Sequence, residues 1–154
     1  MKPSDILFRA KLLNNDYRHG EPVPKGTWFT GWYYQLQLAT EAQHRLVLPR
    51  EKGFQGQSEM DIDPDTLCQF TGLHDANGTP IFEGDIFTVN GHYPKKIEFR
   101  PEHAAFCMAN LDELDKPYLE PWQRIRPDWW NDYKREIRII GNVFDNPELL
   151  KQQS

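Results

Sequence analysis

The sequence predicts a mainly β fold: a β-rich α+β chain of short antiparallel strands with one or two short helices, closed as a sandwich or barrel. Three observations carry this. Short apolar runs alternate with turn signals along the whole chain. Twelve Pro and ten Gly interrupt any long helix. Aromatic residues make up 13% of a chain that is only 38% hydrophobic, so a few large side chains must build the core.

The elements follow in order. "DILFRAKLLNNDYRHG" reads as a strand and a turn, and "EPVPKG" as a loop. "TWFTGWYYQLQLAT" alternates at Tyr34, Leu36 and Leu38, a strand of period two. A short strand is expected around residues 45–48, then a polar loop with Gly53 and Gly56, a turn at Pro64 and a strand near 67–71. Asn77-Gly78 signals a hairpin with a type I′ turn, whose central residues both need positive φ. Gly84 marks a bend before a strand at 85–89, and "KKIEFR" is another strand. "PEHAAFCMANLDEL" has helical propensity, with a turn and strand as the alternative. "DKPYLEPWQRIRPDWWNDYKR" is cut by prolines, with one helical turn near Trp129. "EIRIIGNVFDNPELL" reads as a strand, a Gly-Asn turn and a short helix capped by Asn146 with Pro147 at its first position.

At 154 residues the expectation is one domain, 1–154. A net charge of -5 argues against duplex DNA, which needs a basic face. Cys68 and Cys107 fit no zinc spacing, and the reading is a reduced intracellular chain, with a disulfide between them as the alternative. The charged N-terminal stretch does not read as a signal peptide, and no run of apolar residues is long enough for a membrane span, so the expected location is the cytoplasm.

Candidate chemistry is sparse. Glu83 and Asp85 stand two apart and share one face of an extended chain, a pair that could do acid/base work; the competing reading is that they tie backbone donors around Gly84. "DIDPD" places Asp61, Asp63 and Asp65 like an EF-hand start, but Thr66 and Gly72 stand where that loop needs Gly and Glu. His103 and Cys107 form a weak pair without a third ligand, so neither metal nor cofactor is expected. Ser4, Ser58 and Ser154 lie in no hydrolase motif, and no phosphate loop is present. One segment suits single-stranded nucleic acid: Trp122, Trp129, Trp130 and Tyr133 interleave with Arg124, Arg126, Lys134, Arg135 and Arg138. Against it, the tryptophans could pack on the fold while Asp128, Asp132 and Glu136 neutralise the arginines. The aromatics Trp28, Phe29, Trp32, Tyr33 and Tyr34 suit a core or a subunit interface.

"FRA" at 8–10, "CQFTGLHDANGTPIFEGDIF" at 68–87 and "IIGNVFDNPELL" at 139–150 resemble the YopX family of phage and prophage proteins. The matching positions include Gly72, Asp75, Asn77, Gly78, Glu83, Gly84, Asp85, Gly141, Asn142, Asn146 and Pro147. The resemblance implies a YopX-like barrel, an origin in mobile elements and, for "PEHAAFCMAN", two strand edges and a turn, which is the expectation taken over helical propensity. It transfers no catalytic residue, and residues 112–135 look like an insertion. The expected protein is a non-enzymatic phage or prophage accessory module, a homo-oligomer with a protein partner. A single-strand nucleic-acid binder using residues 122–138 is the alternative, and an enzyme using Glu83 and Asp85 the second.

Overall fold

A computed structural model describes residues 1–53 and 55–151. The chain forms two compact units, one of residues 1–70 and one from residue 71 onward. The strands are short and antiparallel, so the mainly β expectation holds.

The first unit contains β1 (Phe8–Lys11), β2 (Asp16–Arg18), β3 (Glu21–Val23), β4 (Trp28–Gln37), β5 (Ala42–Val47) and β6 (Glu59–Asp61). Strand β7 (Cys68–His74) begins in it. The ladder runs β6-β5-β4-β1-β7, and β2 and β3 form a hairpin of their own. Three of these strands fall where a turn or loop is expected from the sequence: β2, β3 and β6, each three residues long. The β2–β3 hairpin exists because His19 and Gly20 both take positive φ, the twist that a two-residue connection needs.

Strand β4 shows the expected alternation, but on the outer side. Phe29 and Tyr33 pack against the core of Ala10, Leu12, Leu46, Leu48, Met60 and Ile62. Gly31, in the same row, is buried so closely against the backbone of Val47 that a Cβ would collide with its carbonyl. The opposite row keeps Leu36 42% and Leu38 38% exposed.

In the second unit come β8 (Pro80–Phe82), β9 (Asp85–Val89), β10 (His92–Arg100), β11 (Ala105–Asn110), β12 (Gln123–Arg124), the single turn α1 (Pro127–Trp130) and β13 (Ile137–Asn142). Five of them order as β12-β11-β10-β9-β13. Among the described residues this ladder is open, with β12 and β13 at its edges, where the resemblance leads one to expect a barrel. Phe87, Ile81, Ile97, Met108 and Ile137 make the core, and Trp130 packs on Phe87 at 5.1 Å between ring centres.

One local expectation holds against its alternative and two are corrected. For "PEHAAFCMANLDEL" the strand-and-turn reading holds over the helical propensity: a 3-10 turn at Pro101–His103 and Ala104 at φ +49° reverse the chain into β11, which zips onto β10. Asn77 does not take positive φ, so its hairpin is not type I′; the turn from Asp75 to Gly78 ends on Gly78 at φ +79°. The type I′ turn lies at the second Asn-Gly pair, Asn90-Gly91, where both residues have positive φ and Val89 faces His92. Gly141 and Asn142 stay in β13 rather than forming a turn, and the reversal follows them.

Candidate functional site

Within the second unit, the stretches 71–87 and 137–148 form one network that holds backbone. The Asp75 carboxylate accepts the N–H groups of Asn77 and Thr79 at 2.9 Å and of Ile139 at 3.3 Å. Burial alone would raise its pKa, but the backbone donors Thr79, Ile139 and Asn77 outweigh it and hold the group below the usual aspartate value. Ala76 N–H donates to Ile137 at 2.7 Å, and Asn77 accepts from the Arg138 guanidinium at 3.3 Å. Gly72 and Gly84 occupy the left-handed region at φ +83° and +81°.

Glu83 accepts the Phe99 N–H at 3.1 Å, and Asp85, only 1% exposed, accepts the Phe82 N–H at 2.9 Å. Gly84 donates to Ile97 at 2.8 Å and accepts from Val143 at 2.9 Å, while Asn142 pairs with Asp85 across the ladder. Asn142 accepts from Phe144 and Asp145 at 3.0 and 2.9 Å. Asn146 does precede the terminal 3-10 turn that Pro147 opens, but its side chain does not cap that turn. It reaches back to accept the Asn142 N–H at 3.1 Å, lying so close over Gly141 that a Cβ there would collide with it. Glu83 and the buried Asp85 thus both accept backbone N–H groups in this arrangement.

The Trp/Arg segment is gathered only in part. Trp130 is 4% exposed, and its indole N–H donates to the His74 carbonyl at 2.9 Å, so this ring is no platform for a base. Trp122 lies beneath Arg100 at 4.8 Å and Lys96 at 5.9 Å, two cations outside the segment read from the sequence. Trp129 lies beneath Arg135 at 4.7 Å. Arg126 pairs with Asp128 at 2.7 Å, Arg135 with Asp132 at 3.0 Å, and Arg138 with Glu136. Tyr133 is exposed, with Lys134 over its ring at 5.7 Å. A cleft of about 180 Å³ remains, lined by Met108, Gln123, Arg124, Arg126 and Trp129.

In the first unit, β4 carries the other solvent-facing cluster. Trp32, Leu36 and Leu38 project outward with exposures of 36%, 42% and 38%. The alternation was legible in the sequence; which row faces solvent was not. On the β5 side a cleft of about 390 Å³ is lined by Asn14, Gln43, His44 and Asp61 among others. His44 bonds the Tyr33 hydroxyl at 2.7 Å, and Arg45 joins Asp61 at 2.8 Å. Of the "DIDPD" aspartates, Asp63 accepts the Asp65 N–H and starts a 3-10 turn, and Asp61 pairs with Arg45. His103 lies in a 3-10 turn and the buried Cys107 in a strand, so they share no helix face; burial pushes the Cys107 thiol up. Among the described residues, no three His, Cys, Asp or Glu side chains gather to hold a metal, and no helix is long and apolar enough to cross a membrane.

A comparison with protein families finds a match over residues 25–151 to the family described as YopX protein. No curated protein and no solved structure matches the chain. The match contains both long signature stretches and leaves out the "FRA" at 8–10. With most of its length matched, the chain belongs to the YopX family.

Proposed function

We propose that this YopX chain is a non-enzymatic accessory protein of phage or prophage origin, acting in the cytoplasm of a bacterial host as a β-sheet interaction module that self-associates. The family match runs through both units, which supports treating residues 1–154 as one YopX-like domain with an insertion at 112–135. The observation that carries the reading is the outward row of β4. Trp32, Leu36 and Leu38 stand exposed on a strand without a single charge, and Trp and other large apolar side chains are what interfaces concentrate. The acidic pair most suggestive of chemistry, Glu83 and Asp85, is occupied by backbone. Light scattering across a dilution series tests this: a mass above that of one 18.2 kDa chain at tens of micromolar, falling on dilution, is expected. A monomer throughout contradicts it.

A second reading rests on the cleft beside Trp129, where Arg124 and Arg126 stand next to an indole. There the chain would hold single-stranded nucleic acid by stacking and phosphate contacts. Tryptophan quenching by a mixed single-stranded DNA, saturable at low salt and weakened by added salt, would favour it. Substituting Trp129 should abolish that signal and Trp130 should not, because only Trp129 borders the cleft.

A further inference from the structure

Strand β4 pairs with β5 along residues 32–37 but with β1 only along residues 28–31. The segment before β1 flanks it slightly further, where the Trp32 indole N–H donates to the Pro3 carbonyl at 3.1 Å. Beyond that, the side of β4 away from β5 carries no strand among the described residues. Antiparallel ladders alternate the direction of their backbone groups. Leu38 N–H donates to Glu41 across the hairpin at 2.8 Å, so even-numbered positions bond β5, and Gln35 and Gln37 point their N–H and C=O groups outward.

An open edge is a template for another strand, and proteins usually guard one with a charge, a proline or a bulge. Residues 28–38, "WFTGWYYQLQL", contain no charged residue and no proline, and the β4–β5 register runs unbroken through residues 32–37.

We infer that two copies of the chain join antiparallel through this edge, with Leu36 facing its own copy on the two-fold axis. The inference rests on the self-association reading and names its surface. A strand edge running antiparallel to itself is self-complementary, as a two-fold interface requires. Chains of net charge -5 repel, and this uncharged strand is where they can meet. The register sets Gln35 opposite Gln37 of the second copy, so their backbone groups exchange hydrogen bonds. It sets Tyr34 opposite Leu38 of the second copy, an aromatic–aliphatic pair on the exposed row. Centring on Leu36 also keeps the incoming strand clear of the segment beside Trp32. The contact is short, below the ~1,200 Å² of stable interfaces, so the dimer is weak and concentration-dependent.

The test uses cysteine scanning on the full chain, whose own Cys68 and Cys107 are buried. Leu36 would face its copy in a non-hydrogen-bonded pair, with Cα atoms about 4.5 Å apart, within disulfide range. Leu36→Cys should therefore form a covalent dimer on mild oxidation. Gln43→Cys, Leu36's neighbour within the same hairpin, should not. Gln35→Pro removes an outward N–H and leaves the β4–β5 bonds intact; it should weaken dimerisation at least about tenfold, ~1.4 kcal/mol, without moving the denaturation midpoint. Crosslinking of Gln43→Cys as readily as Leu36→Cys, or a folded Gln35→Pro chain that dimerises like wild type, overturns this edge while leaving self-association standing. A wild-type chain monomeric at tens of micromolar overturns both.

Discussion

The Asp75–Gly78 hairpin turn and the far end of the β4–β5 hairpin are both antiparallel reversals, and they spend their residues in opposite ways. At the first, Asp75 serves three backbone donors, Asn77 takes the Arg138 guanidinium, and Gly78 supplies the left-handed residue. At the second, Gln35, Leu36, Gln37 and Leu38 are all exposed. The sequence motif that is most specific marks the place where side chains are consumed by folding. The plain repeat "YQLQL" marks the place where surface is left over. In this molecule the family signature holds backbone in place, and the proposed interaction surface lies away from it.

Breaking the signature should cost stability in a graded way. The largest loss is expected for Asp85→Ala, which removes a buried charged acceptor of the Phe82 N–H; about 3 kcal/mol, read as a lower urea midpoint. Asp75→Ala should cost about 2 kcal/mol at neutral pH, because it removes a charged acceptor shared by several N–H groups. The sign with pH follows from its lowered pKa. Its stabilisation is complete above the ordinary aspartate value and is lost as pH falls through the lower folded value. The gap between wild type and Asp75→Ala should therefore close in acid, and a gap constant down to the most acidic folded condition would contradict this assignment. Gly84→Ala forces an L side chain into φ +81° and should cost about 1–2 kcal/mol. The smallest effect is expected for Glu83→Gln, whose amide oxygen can still accept the Phe99 N–H: about 0.5 kcal/mol, with the fold intact.

Much of the architecture was legible in the sequence, and the exceptions share a cause. Strands β4, β7, β9, β10 and β13 stood out because they are long enough for alternation or end on glycine turns. Strands β2, β3 and β6 were not legible, since three residues carry no period. The two Asn-Gly pairs show the limit of a turn signal: the dipeptide at 90–91 takes the type I′ form, and the one at 77–78 does not, because Asp75 draws the Asn77 and Thr79 N–H groups onto its carboxylate. At residues 101–110 the strand-and-turn reading implied by the resemblance holds over local helical propensity, because β10 offers a full ladder of partners. For the Trp/Arg segment, residue type suggested a platform, but partners decide: the pairings with Asp128, Asp132 and Glu136 weighed from the sequence all form, and Trp130 goes to the core. Lys96 and Arg100, far from Trp122 in sequence, could be placed over it only by the sheet.

The most direct test of the contrast is the molar mass of Leu36→Asp, measured by light scattering at tens of micromolar beside wild type. A monomer with an unchanged denaturation midpoint is expected, since Leu36 is exposed and its loss touches no core. A wild-type mass above one chain that Leu36→Asp keeps would contradict the edge contact and return the search for an interface to the rest of the surface.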